Sequence, residues 1–378
     1  MQNTLNRPAL EDALIKAGLN QARLAEKLKV SREAVSKWLS GDSFPKPDKL
    51  LRIGLLLRLD FNSLVVKAAP KAVPVVCFRK KTNRKTTDEH LEKARETGEL
   101  LKRLVPYLPN QELTRPPTLK DPSEAYEYVQ TVAKQLRQDM KLEGKEIIDF
   151  TDLIDKFNQL HAVIIPVLWG EPRHHGNALS IHLPDSQTTW VFLNLDSSAV
   201  DFKFWMAHEL GHSLAPDLIG KPGESFADHF AQALLFPESQ ASRIRDTLVG
   251  IQTLSGRIQS ILDEANRHVI SPYTIRLALE GYEKARGLNK TDLGGLPKFM
   301  AATTNFVKGY KTIAEGVFTS LPVEPKYYIA CTRSEFGSSF FEALAEYGKS
   351  ESGLEHFIQR VLGVSLADAK ALSGELSA

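Results

Sequence analysis

Within the stretch FWMAHELGHSLAP, residues 204–216, stand His208, Glu209 and His212 in the order H-E-x-x-H. On a helix, residues four apart lie one turn above each other. His208 and His212 would therefore present two imidazoles to one point, the arrangement a divalent zinc ion takes. Glu209, one residue on, would stand at the side of that pair as a general base for water. Catalytic zinc takes three protein ligands and keeps one position open. The longer pattern H-E-x-x-H-x-x-G-x-x-H is absent, because its Gly and His places hold Ala215 and Leu218. The next apolar stretch, ESFADHFAQALLF, offers Glu224 as the third ligand. Asp228, one turn further on the same face, could accept a hydrogen bond from the outer N–H of a ligand histidine. His229 is turned away from that face and reads as structural. Gly211 inside the motif costs a helix about 1 kcal/mol relative to Ala, so it predicts a close neighbour there, such as a strand. The pair His174 and His175 reads as loop, with a possible role as oxyanion donors. One HExxH and one Glu make a mononuclear site, not the paired-metal centre of a nuclease.

The elements that would hold these residues are legible by pattern. Helices are expected over 123–140 and 149–160 (with Thr151 as N-cap), about 199–214, and from Glu224 to the residue before Pro237. Between them, AVIIPVLW, NALSIHL and TWVFLNL read as strands. Residues 66–85 carry prolines and then the basic run Arg79 to Lys85, and read as an exposed linker with one short strand at VPVVCF, the basic run being able to follow a phosphate backbone. A charged helix is expected over about 87–107, and Pro-rich LTRPPTLKDP marks a boundary near 120.

Upstream lies a different chemistry. NQARLAEKLKV and SREAVSKWLSG read as two short helices capped by Asn20 and Ser31 and joined by a tight turn. Ala25 is small where the two would cross. Val30, Val35 and Trp38 are apolar where the pair would rest on its domain. The second helix would expose Arg32, Glu33, Ser36 and Lys37 beside Ser31, with Arg32 and Lys37 able to donate to guanine edges in a major groove. Gln21 heads the first helix, where it could bond a phosphate. Charge agrees: residues 1–100 hold 20 Lys+Arg against 12 Asp+Glu, a balance of +8 within a chain of net +2. A basic front on a mildly acidic body points to a polyanion partner, here double-stranded DNA.

FWMAHELGHSLAP followed by ESFADHFAQALLFP resembles the ImmA/IrrE family of zinc metallopeptidases over roughly residues 120–290. That resemblance implies His208, His212 and Glu224 as ligands of one Zn2+ and Glu209 as catalytic base. It also implies cleavage of protein partners, often DNA-binding repressors, during stress or mobile-element induction. NQARLAEKLKVSREAVSKWLSG resembles the Xre/Cro type of helix-turn-helix, departing from it at the turn, where Lys29 replaces the usual Gly.

The expected architecture is multidomain. An all-α helix-turn-helix domain (1–65) leads through a linker and connecting helix (66–120) to an α+β, zincin-like metallopeptidase domain (121–290). A mixed, largely helical region of sensing or partner-binding type (291–378) follows. The expected protein is a homodimeric, cytoplasmic regulator at an operator. Its peptidase would cut a repressor or the chain itself, the latter within residues 62–85. The substrate backbone would pair along an exposed strand, NALSIHL. A non-proteolytic repressor or antitoxin-like regulator, with the peptidase fold as sensor or scaffold, is the alternative. Two cysteines, Cys77 and Cys331, make no disulfide framework and fit a reducing compartment. No apolar run approaches the ~20 residues of a membrane span, and the N-terminus lacks a signal pattern.

Overall fold

A computed structural model describes residues 3–40, 43–57, 59, 64–67, 74–79, 88–109, 118–142, 144–169, 178–218 and 220–377. The chain divides into two compact units, Met1–Val73 and Pro74–Ala378.

The first unit contains α1 (Arg7–Lys16), α2 (Gln21–Leu28), α3 (Arg32–Ser40) and α4 (Pro47–Leu57). It is not all-α: β1 (Asn3–Leu5) pairs antiparallel with β2 (Val65–Lys67), tying the two ends of the unit together. The caps follow the sequence. Asn20 accepts the Arg23 amide at 2.9 Å, and Ser31 accepts the Ala34 amide at 3.1 Å. Leu10, Leu14, Leu24, Ala25, Leu28, Val35, Trp38 and Ile53 form the core.

The second unit is built on a four-stranded sheet of order β3-β5-β6-β4: β3 (Val75–Arg79), β4 (Ala162–Val167), β5 (Ala178–Leu183) and β6 (Thr188–Asn194). β4 pairs parallel with β6; the other pairings are antiparallel. Every residue of β4 and β6 is buried, as expected of strands covered on both faces. Alternation along β6 assigns the faces. Val191 and Leu193 join a core with Phe202, Met206, Leu210, Phe226 and Phe230. Trp190 and Phe192 join a second core with Leu179, Ile181 and Leu183 of β5.

The first face carries α6 (Tyr126–Asp139), α7 (Phe150–Gln159), α8 (Ala199–Leu214) and α9 (Gly220–Leu235). The second is covered by α5 (Asp88–Leu101) and by helices Pro325–Ser334, Phe340–Ser350, Leu354–Leu362 and Leu366–Ser377. Residues 291–378, expected as a further domain, therefore supply much of the cover for that face. The short strand expected at VPVVCF within the linker is present as Val75–Arg79, at the edge of the sheet. The C-terminal helices differ from the expectation because they bury their apolar faces against strands far away in sequence. The cap of α7 also differs. Asp149, not Thr151, takes that place, in a capping box with Asp152. No helix among the described residues is long and apolar enough to cross a membrane. Of the basic run, only Arg79 lies among the described residues; His174, His175 and most of the proposed 62–85 cleavage region lie outside them.

Candidate metal centre and nucleic-acid interface

α8 begins with Ser198 accepting the Asp201 amide at 3.4 Å and runs to Leu214. It is sheathed on nearly every side: Phe202, Trp205, Met206, Ala207, Leu210 and Gly211 are buried, and so are His208, Glu209 and His212. A fully buried carboxylate beside two buried imidazoles is costly unless the charges are matched. α9 brings two further carboxylates, Glu224 and Asp228, against the imidazoles. Its first turn is Gly220–Gly223, earlier than the sequence pattern places it, so Glu224 enters in the second turn. A Cβ on Gly223 would stand 2.1 Å from the Leu218 carbonyl oxygen, so only glycine lets the chain turn this tightly beside His212.

His208, His212 and Glu224 converge on one point. The two Nε2 atoms are 3.1 Å apart. Glu224 Oε2 is 3.5 Å from His208 Nε2, and its Oε1 is 3.4 Å from His212 Nε2. Ligands bonded tetrahedrally to zinc at about 2.0–2.1 Å are separated by about 3.3–3.4 Å. The three measured separations are close to those edges, and two imidazole nitrogens 3.1 Å apart require a proton or a cation between them. The donor set thus fits a zinc ion. Asp228 Oδ1 is 3.1 Å from His208 Nδ1. It accepts that N–H, which turns the bare Nε2 toward the cluster.

Electrostatics agree. Burial opposes charge on His208, but hydrogen bonds to Asp228 and Glu224, with the nearby charge of Glu209, outweigh it and raise its pKa to about 9. Burial also opposes charge on Glu224, and the two histidines outweigh it, lowering its pKa to about 2. His212 is pushed down by burial. Without metal, the site therefore holds a proton against an ionised Glu224 at neutral pH.

Gly211 marks where the helices touch. The sequence suggested a strand as its neighbour; the neighbour is α9. A Cβ there would stand 3.1 Å from Ala227 Cα and 3.1 Å from Phe230 Cδ1. Sequence reasoning missed the strap formed by residues 118–125. Leu119 donates to the Leu214 carbonyl at 2.8 Å, and Ser225 Oγ donates to Glu124. No local signal marks this crossing of α8 and α9. His229 is exposed. NALSIHL does not present an open edge: β5 lies between β3 and β6.

In the first unit, Gln21, Ser31, Arg32, Glu33, Ser36 and Lys37 are all exposed. Ser31 caps α3 with Arg32 and Glu33 in its first turn, and Ser36 and Lys37 follow one turn on. Ala25 is buried where α2 meets α3. Lys29 takes the left-handed conformation (φ 52°, ψ 54°) at the turn between them. Its amide and that of Val30 bond back to Glu26 and Ala25.

Comparison with protein families matches residues 10–64 to the family described as Helix-turn-helix. Residues 10–64 are thus a helix-turn-helix of the Xre/Cro type. The match supports double-stranded DNA as the partner of this unit and a DNA-binding transcription regulator as the class of the chain. Comparisons with curated proteins and with solved structures gave no significant match.

Proposed function

We propose that this chain is a DNA-bound regulator with a zinc-dependent endopeptidase centre. It would act at an operator as a homodimer and cut a regulatory protein, either a partner repressor or the chain itself, when stress or mobile-element signals demand it. The observation that carries the enzymatic reading is the convergence of His208, His212 and Glu224, with buried Glu209 on the same helix. A zinc ion held there supplies a Lewis acid for the scissile carbonyl and lowers the pKa of water. Glu209 then takes the proton of the attacking water and hands it to the leaving amine. Asp228 fixes the tautomer of His208. The helix-turn-helix makes a regulatory protein, not bulk protein, the expected substrate.

The test is metal content together with a Glu209→Gln comparison. Full-length protein should hold one zinc per chain. Glu209→Gln should hold zinc equally and abolish cleavage of the cognate regulator. Absence of zinc, or a cellular phenotype unchanged in Glu209→Gln, removes the enzymatic reading. It would favour a non-proteolytic repressor or antitoxin-like regulator, with the second unit as sensor or scaffold. One observation speaks for that alternative: the β5 edge, where a substrate strand would add, is filled by β3.

A further inference from the structure

That filled edge carries an inference of its own, which rests on the peptidase reading and concerns its regulation. A peptide held in extended form adds to a sheet by main-chain pairing with an edge strand. In the second unit the described edges are β3 and β4. β4 lies on the far side of β6, whereas α8 packs against β5 and β6.

β6 ends at Asn194, α8 starts at Ala199, and α8 packs against both β5 and β6. Trp190 of β6 pairs with Ile181 of β5, and Ile181 pairs with Val76 of β3. β3 therefore ends the rows of the sheet on the side where α8 lies.

We propose that β3 is an internal occupant of the substrate edge: Val75–Arg79 holds the place on β5 that a substrate strand takes, and substrate adds only after β3 leaves. Three observations support this. β3 runs antiparallel to β5 over five paired positions, as an added peptide strand would. It is paired on one side only. It is the first element of its unit, so it can leave the sheet without carrying another strand with it. Its anchor is local. Pro74, just before it, packs on Gly98 of α5, where a Cβ would stand 2.6 Å from Pro74 Cβ and 3.1 Å from Ile181 Cγ2. The glycine lets α5 press the head of β3 onto β5.

The test is a binding measurement on full-length protein and needs no catalysis. The probe is a fluorescent synthetic peptide with the sequence of residues 72–82, AVPVVCFRKKT. Gly98→Val should push Pro74 away and loosen β3; the double substitution Val75→Pro, Val76→Pro must remove one ladder amide, because alternate amides of an edge strand face its partner. Both variants should bind the probe at least tenfold more tightly than wild type. Deuterium exchange should rise over residues 75–79 and 178–183 and stay unchanged over α8 and α9. For the opposite perturbation, Ser180→Cys in a Cys331→Ser background places a thiol opposite Cys77. Directly opposed antiparallel residues have Cα atoms about 4.5–5.5 Å apart, a span a disulfide bridges. The oxidised form should not bind the probe, and reduction should restore wild-type binding. Equal probe binding by wild type, loosened and locked forms would overturn the proposal, as would exchange that rises over 75–79 with no gain in binding. Zinc content and the Glu209→Gln comparison are read separately, so a filled edge without peptidase activity, or the reverse, is recognised as such.

Discussion

Gly211 sets the distance between the helix that carries the histidines and the helix that carries Glu224, which makes Gly211→Ala the sharpest perturbation of the centre. The new Cβ would lie 3.1 Å from Ala227 Cα, 3.1 Å from Phe230 Cδ1 and 3.4 Å from Ala227 Cβ. Carbon atoms prefer about 3.5–4.0 Å, so α8 and α9 must part by roughly half an ångström. Two stability effects oppose each other. Ala in place of a mid-helix Gly gains about 1 kcal/mol; overpacking a filled core costs about 1–3 kcal/mol. The net loss of folding stability is about 0–2 kcal/mol. The metal centre has no such compensation. Glu224 lies one turn before Ala227 on the helix being displaced, and metal–ligand bonds tolerate only about 0.2 Å. Zinc affinity should therefore fall by about tenfold to a hundredfold, the range seen when the groups that position ligands are disturbed. Competition with a chromophoric chelator measures affinity, and thermal denaturation with and without chelator measures stability. Gly281→Ala is the control. Its Cβ would meet Tyr126 at an ordinary 3.5 Å, so it should match or exceed wild-type stability and bind zinc unchanged. Wild-type zinc affinity in Gly211→Ala would refute the claim that this contact sets the ligand geometry.

Other outcomes follow from single residues. Lys29→Gly should stabilise the first unit by up to about 1 kcal/mol, because Lys29 holds a left-handed backbone that glycine adopts freely; urea denaturation reads this. Asp228→Asn should weaken zinc binding about tenfold to a hundredfold with little loss of helicity, checked by the same chelator competition. Zinc-free protein should lose stability as pH rises from about 6.5 to about 9. The folded pKa of His208 is raised from 6.5 to about 9 by Asp228 and Glu224 against the effect of burial, so its contribution is full below the lower value and gone above the upper. Apparent zinc affinity should rise over the same interval, since binding displaces that proton. Burial lowers the pKa of Lys203 from 10.5 to about 8, so the sign there is opposite. Stability gains as pH rises from about 8 to 10.5, and Lys203→Met should abolish that gain relative to wild type in pH-dependent denaturation.

Local signals were enough to bring His208, His212 and Glu224 together and to place the capped helices. Four-residue spacing put His208 and His212 together, and a second apolar helix four turns long offered Glu224 and Asp228 on one face. Asn20, Ser31 and Pro47 opened α2, α3 and α4 where caps and prolines should. What stayed hidden was decided by distant partners. Residues 354–362 bury Leu354, Phe357, Ile358, Val361 and Leu362, an obvious helical stripe, but no local feature says that the stripe faces Ile181 and Trp190 across a sheet. VPVVCF reads as a short strand inside a linker, but its partner strand is about a hundred residues away, so its place at the edge of the sheet has no local signal. Gly211 announced a close contact without saying with what. Thr151 reads as a cap by residue type, but Asp149, two residues earlier, closes a capping box with Asp152.

The position of β3 in the chain gives the two chemistries a common hinge in sequence. The DNA-reading unit ends at Val73, and the strand begins two residues later. If β3 occupies the substrate edge, the strand that leaves the sheet to admit a substrate is the one that follows the helix-turn-helix unit in sequence. Occupancy of the edge and DNA binding would then be linked through this stretch of chain. Coupling of that kind is reciprocal. A duplex that favours one state of the linker must shift probe binding at β5 by the same factor as the probe shifts duplex binding. Full-length protein titrated with the 72–82 peptide, with and without operator DNA, reads both shifts. Equal and non-zero factors would carry the coupling; a peptide that binds the loosened edge without altering DNA affinity would leave β3 as a plug and nothing more.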